Sequence, residues 1–168
     1  MSAAALRELT RTDAATEALG ARLARALPLP GLASQAAVVY LCGDLGAGKT
    51  TLARGFLHAL GWSGPVRSPT YTLLETYALS GAATPLTAVH LDLYRLAAPD
   101  ETEMLGLREL AQPHHIWLVE WPERAAGAAL APADLQAQLT VRPEAHEVNV
   151  TAVSPFGQAW LTQALSRS

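Results

Sequence analysis

Residues 36–60 constrain this chain more than any other stretch. Ala36 to Cys42 is a continuous apolar run, with Val38-Val39-Tyr40-Leu41 at its centre, which suits a strand buried on both faces. Gly43-Asp44-Leu45-Gly46-Ala47-Gly48-Lys49-Thr50 follows. Thr50 to Leu60 then reads as a helix, with Leu52, Phe56 and Leu60 on one side and Gly61 as its stop. Strand, glycine loop and helix in that order is the setting of the phosphate-binding loop G-x-x-x-x-G-K-[ST], which the octapeptide matches. Its glycines let successive backbone N–H groups turn inward as an anion cradle. The helix adds its positive N-terminal dipole. Gly43 to Thr50 are therefore the expected nucleotide-binding residues, and the Thr50 hydroxyl is an expected Mg²⁺ ligand.

Lys49 is the only lysine in the chain; every other cationic side chain apart from histidine is arginine. Base composition accounts for the arginines but not for where the exception falls. A compact ammonium on a flexible stem reaches between phosphates in a way that a planar guanidinium does not.

The 168 residues are expected to form one domain, 1–168, with a sizeable core. No apolar tract approaches a membrane span, and the N-terminus lacks the order of a signal peptide, so the expected location is cytoplasmic with no membrane partner. Cys42 has no partner for a disulfide and ends an apolar run, so it reads as core packing. The formal net charge is −3 and the arginines are scattered, which argues against tight autonomous binding of nucleic acid.

Elsewhere the pattern predicts a helix from Asp13 to Leu27, closed by Pro28 and Pro30. Strands are predicted over Tyr71–Leu79, Thr87–Leu91 and Ile116–Val119, with a turn at Gly81–Pro85. Pro99–Leu110 reads as short helices broken at Gly106. Leu135–Val141 and Glu147–Val153 read as an antiparallel pair, and Gly157–Leu165 as a closing helix. The expected fold is α/β: a P-loop NTPase-like, three-layer domain with a mixed, partly parallel sheet.

Asp92 and Glu120 each end an apolar strand. Open α/β sheets bind ligands beyond the carboxyl ends of their strands, where the phosphate loop also emerges. If the three strands are parallel neighbours, Lys49, Thr50, Asp92 and Glu120 meet at one edge. That set suits Mg²⁺-assisted phosphoryl chemistry, with one carboxylate on the metal or its waters and one orienting the attacking water. Arg95 is either a phosphate contact or a surface ion pair. Thr70, in Ser68-Pro69-Thr70, is either an ordering switch near the metal or a strand-end hydroxyl. By spacing alone Trp121 reads as a hydrophobic wall. His114 and His115 have no nearby carboxylate or cysteine that would make a metal site.

Four segments, Gly-Asp-Leu-Gly-Ala-Gly-Lys-Thr-Thr at 43–51, Ser-Pro-Thr-Tyr-Thr at 68–72, His-Leu-Asp-Leu-Tyr-Arg at 90–95 and Val-Glu-Trp-Pro at 119–122, together resemble the TsaE (YjeE) family. The last three are far more specific than the phosphate loop. The resemblance implies an ATPase of tRNA threonylcarbamoyladenosine biosynthesis. Gly46 to Thr51 would hold the phosphates of ATP or ADP, and Thr50 would ligate Mg²⁺. Asp92 would take the Walker B role, and Glu120 would be a metal-linked or water-orienting acid. Thr70 would be a switch and Trp121 would lie near the nucleotide. The implied partner is a TsaB–TsaD heterodimer that modifies adenosine 37 of tRNAs reading codons that begin with A, so tRNA would be met only through the complex. The family often carries an arginine near the nucleotide by the turn between the last two strands; here His146 stands there, with Arg142 nearby. The competing functions are a small-molecule P-loop kinase and a nucleotide-regulated binding module without turnover. The arginine pairs of a kinase lid are missing, and Glu120 argues against a module without hydrolysis.

Overall fold

The computed structural model describes residues 3–80, 83–125 and 130–167. One seven-stranded sheet runs through it: β1 (Ala5–Thr10), β2 (Ala37–Cys42), β3 (Leu74–Leu79), β4 (Leu86–Asp92), β5 (His115–Glu120), β6 (Leu135–Arg142) and β7 (Ala145–Ala152). Their order in space is β1-β7-β6-β2-β5-β4-β3. The central strands β6, β2, β5 and β4 are mutually parallel. Antiparallel β3 closes one edge and the antiparallel pair β7 and β1 closes the other. The sheet is mixed and partly parallel, as the alternation of patterns predicts.

One face is covered by α1 (Asp13–Arg25), α2 (Lys49–Ala59) and α4 (Pro155–Ser166). Leu19 and Leu23 of α1, Phe56 and Leu57 of α2, and Trp160 and Leu161 of α4 pack there against Val39, Leu41, Ile116 and Leu118. The opposite face is covered by 3₁₀ turns at Pro99–Leu105 and Pro122–Ala125 and by the one-turn α3 (Leu107–Leu110), so the third layer is thin. Leu93, Leu96 and Leu107 pack there against Val89, Leu91, Trp117 and Val119. Strand alternation thus sends Ile116, Leu118 and Glu120 towards α2 and Trp117 and Val119 away from it.

Several boundaries differ from the sequence pattern. β1 was not predicted: it is an edge strand that buries Leu6 and Thr10 while Arg7 and Leu9 stay exposed, which makes its apolar signal short. α1 stops at Arg25 rather than Leu27. The strand expected from Tyr71 begins at Leu74, because residues 68–73 form a turn closed by Leu73 N–H donating to the Pro69 carbonyl at 2.8 Å, with Leu73 at φ 63°. α2 opens at Lys49, one residue before the pattern suggests. Residues 81 and 82 of the predicted 81–85 turn lie outside the described residues. Cys42 is half-buried and outside both apolar cores, so it does not pack as the run before it suggests; burial still pushes its thiol up to about 11, with Glu123 adding and Lys49 opposing, which argues against redox chemistry.

The phosphate-loop helix is placed by close approach of two backbones. A Cβ on Gly20 of α1 would fall on the Leu52 carbonyl oxygen of α2, and one on Gly55 of α2 would fall on the Glu17 carbonyl oxygen of α1. Neither obstacle is a side chain that can swing aside. Gly55→Ala should therefore lower the melting temperature by about 3–10 °C, the overpacking cost exceeding the ~1 kcal/mol of helix propensity that alanine adds. A thermal melt unchanged from wild type would show that the two helices separate freely and that their contact does not fix α2.

Candidate nucleotide site at the sheet's carboxyl edge

The register brings the predicted residues together. Leu41 pairs with Glu120, and Asp92 pairs with Glu120, so the ends of β2, β5 and β4 lie side by side. Backbone bonds lock these ends: Trp121 N–H donates to the Leu41 carbonyl at 3.3 Å and Leu93 N–H to the Glu120 carbonyl at 3.1 Å. Asp92 and Glu120 are both nearly enclosed, at 5% and 3% exposure. They edge a cleft of ≈ 500 Å³ whose walls include Gly46 to Thr51, Thr70, Arg95 and Trp121.

Lys49 is the charge centre. It is 5% exposed, and its ammonium donates to the carbonyls of Gly43 at 2.6 Å and Asp44 at 2.8 Å. It also lies 4.4 Å from the centroid of the Trp121 ring. Those contacts match the three donors of the ammonium. Burial pushes its pKa below the usual lysine value, while Glu120, then Asp92, Glu123 and Asp44, pull it back. Gly43 and Asp44 consequently serve as the lysine's acceptors at the start of the loop; they are not among the residues that line the cleft, whereas Leu45 to Thr51 are.

The oxygen-bearing side chains form two bonded chains. Thr50 Oγ1 donates to Glu120 Oε1 at 2.8 Å, and His90 Nε2 lies 2.9 Å from the same oxygen. Ser68 Oγ donates to Asp92 Oδ2, and Thr70 Oγ1 donates to Ser68 Oγ at 3.2 Å. Asp92 Oδ1 also accepts from the Tyr94 backbone N–H at 3.0 Å. Thr70 thus reaches Asp92 through Ser68 and does not touch it. Trp121 is on the cleft wall, with its backbone at φ 58° and its ring 5.0 Å from that of Tyr94.

Arg95 faces the cleft but rests its guanidinium 4.8 Å over the Tyr71 ring. His146 lines the cleft, near enough to the loop that a Cβ on Gly48 would lie 3.0 Å from its Nδ1. Arg142 instead holds Glu147 Oε2 at 2.9 Å, so of the two residues by that turn it is His146 that meets the cleft. His90 is a site residue that the motifs do not single out, although a histidine two positions before Asp92 in an apolar strand must share its face. In the sequence Ser68 stands out only as a neighbour of Thr70. Asp13 also lines the cleft, and no local pattern signals it. His114 and His115 lie at the other end of β5. Among the described residues no cluster of three or more His, Cys, Asp or Glu side chains forms a metal site, and no helix is long and apolar enough to cross a membrane.

The family profile described as "Threonylcarbamoyl adenosine biosynthesis protein TsaE" matches residues 10–150. The chain belongs to the TsaE family. It is 43% identical over 124 residues to the tRNA threonylcarbamoyladenosine biosynthesis protein TsaE of Haemophilus influenzae, covering 74% of this chain and 75% of that one. It is 37% identical over 150 residues to the Streptomyces coelicolor protein of the same name, covering 88% and 95%. The crystal structure of Bacillus subtilis YdiB superposes with a TM-score of 0.73 at 29% identity, covering 99% of this chain and 97% of that one. The fold is that of a P-loop NTPase.

The contact of Lys49 with Trp121 offers a test of whether Lys49 binds phosphate. An ammonium that moves to phosphate leaves the indole, while Trp117 and Trp160 are fully buried with their ring N–H groups bonded to the Leu110 and Leu23 carbonyls. Trp62 is half-buried beside the 68–73 turn, so in a Trp62→Phe background adding ATP should change the tryptophan emission, and Trp121→Phe should abolish the change. Lys49→Ala should weaken ATP binding by about 2–5 kcal/mol, ~30-fold or more, as measured by calorimetry. Equal affinity in variant and wild type would remove Lys49 from the binding site.

Proposed function

We propose that this protein is a Mg²⁺-dependent ATP hydrolase that supports threonylcarbamoylation of adenosine 37 in tRNAs reading codons that begin with A. The observation that carries hydrolysis is the bond from Thr50 at the start of α2 to Glu120 at the end of β5, made beside a buried lysine on a phosphate loop. The names of the relatives supply the pathway. The resemblance supplies a TsaB–TsaD pair as the partner that carries the transferase chemistry, and through it the only contact with tRNA.

The donor set fits magnesium. Thr50, Asp92 and Glu120 offer hard oxygen atoms at one end of the cleft, and no nitrogen or sulfur side chain is needed to complete the set. Thr50 would hold the ion directly, with Asp92 and Glu120 on it or on its waters. When bound, Mg²⁺ neutralises charge on phosphate oxygens.

The chain's own groups supply the rest. The loop amides of Gly46 to Thr51 and the α2 N-terminus hold the phosphates. Lys49 exchanges its carbonyl partners for phosphate oxygens. Glu120 orients the attacking water and accepts its proton. Thr70, linked to Asp92 through Ser68, transmits occupation of the phosphate end to the 68–73 turn, which is the ordering switch. Trp121 and Tyr94 wall the site.

Glu120→Gln keeps the shape and a hydrogen-bonding oxygen but not the base. It should retain ATP binding and a melting temperature within a few degrees of wild type, and lose about a hundredfold or more in hydrolysis. The experiment follows phosphate release by the protein alone and with TsaB–TsaD, and modified adenosine formed per TsaD. Hydrolysis should be slow alone and faster with the pair, and multiple turnover should require intact Lys49 and Glu120. Unchanged hydrolysis in Glu120→Gln would return that residue to a structural role. Partners that cycle equally well without this chain would overturn the pathway assignment.

A further inference from the structure

His90 is a departure from the rule that buried polar atoms are paired. It sits in the middle of β4 with no exposure, its Nε2 is 2.9 Å from Glu120 Oε1, and its Nδ1 is buried without a hydrogen-bond partner. Val89 and Leu91, its neighbours in the strand, belong to the apolar core on the opposite face. A leucine at position 90 would leave no unpaired atom.

The geometry selects the tautomer. Glu120 Oε1 already accepts from Thr50 Oγ1, so it is an acceptor towards the ring as well. With the hydrogen on Nε2, that nitrogen donates to Oε1 and only the Nδ1 lone pair is left unpaired. With the hydrogen on Nδ1, a lone pair would face the carboxylate and a buried N–H would have no acceptor. Both protein bonds to the carboxylate therefore end on Oε1. Oε2 has no partner among the described residues, and Glu120 lines the cleft.

We infer that His90 is a positioning residue for Glu120: its Nε2–H, together with the Thr50 hydroxyl, holds Oε1 and thereby presents Oε2 to the attacking water. The inference rests on the hydrolytic reading of Glu120. The unpaired Nδ1 is the structural cost of supplying a rigid donor from inside the sheet. A carboxylate held at one oxygen by Thr50 alone keeps its place in the site but rotates about that contact. Loss of the second bond accordingly affects the chemical step more than nucleotide binding.

The test compares His90→Gln with His90→Asn, two uncharged amides that differ in reach. The Gln amide nitrogen occupies the region of Nε2, whereas the Asn amide stops near Nδ1. Single-turnover hydrolysis of saturating Mg·ATP should stay within a few fold of wild type in His90→Gln and fall about tenfold or more in His90→Asn. ATP affinity should be within about twofold in both. His90→Leu should match Asn in rate while melting within a few degrees of wild type. Nitrogen-15 NMR of the nucleotide-free protein should show His90 as the Nε2–H tautomer. Equal rates in Gln and Asn, a parallel loss of ATP affinity, or an Nδ1–H tautomer would each overturn the assignment. A wild type that does not hydrolyse ATP at all would refute the proposed function, and the NMR result would still decide whether His90 donates to Glu120.

Discussion

A carboxyl group taken almost wholly out of water has to be hydrogen bonded, and the site is assembled around the way Glu120 meets that demand. One oxygen at the end of β5 receives Thr50 from α2 and His90 from β4. Three elements that are far apart in the chain are thus tied at one atom. The parallel pairing Asp92↔Glu120 then puts the second acid alongside, and the backbone bond from Trp121 to Leu41 carries the arrangement across to β2. The close approach of α1 and α2 through Gly20 and Gly55 sets the depth of α2 on the sheet, and so the reach of Thr50.

The legible part of this site was the part written in local pattern. Asp92 and Glu120 could be read because each terminates an apolar run, and the ends of parallel strands are where such runs stop. Lys49 and Thr50 could be read because the loop chemistry dictates residue types at fixed offsets. Ser68 and His90 are different in kind. Their importance lies in which atom they touch, and a hydroxyl in a turn or a histidine in a strand carries no mark of its partner. His146 reaches the cleft through the antiparallel pairing of β6 with β7, which the pattern does predict, whereas Asp13 follows β1, whose long-range pairing with β7 periodicity does not encode. The errors at element boundaries have the same origin. Residues 71–73 look extended, yet the turn that Leu73 closes with Pro69 prevails, and Leu73 then offers its carbonyl to the Asp92 N–H at 3.0 Å.

Strain is concentrated where the chemistry is proposed. Among the described residues three non-glycine residues have positive φ: Leu73, His114 and Trp121. Leu73 ends the segment that carries Ser68 and Thr70, and Trp121 directly follows Glu120. Each such conformation costs about 1–3 kcal/mol and persists only where surrounding contacts fix it. For Leu73 the fixing contacts are the turn bond and the bond to Asp92. For Trp121 they are the backbone bond to Leu41 and the ring's contacts with Lys49 and Tyr94. Those two Trp121 ring contacts differ in permanence. Tyr94 is anchored by its backbone to Asp92, while the ammonium of Lys49 is the one group here with a better partner in phosphate.

That difference sets which contacts of the loop would change on binding phosphate. Lys49 places two donors on carbonyls of its own loop and turns the third towards the Trp121 ring. On the proposed function, phosphate entry would exchange these carbonyl and ring partners for anionic oxygens. It would take from the Trp121 ring its contact with Lys49, leaving those with Tyr94 and Arg124, and would relieve the lowering of the ammonium's pKa by burial. The charge change would fall on the loop, beside a Glu120 held at one oxygen and an Asp92 linked to the 68–73 turn. On that reading the floor of the site is fixed and the response to nucleotide would fall at its rim, at Trp121 and at the turn carrying Thr70.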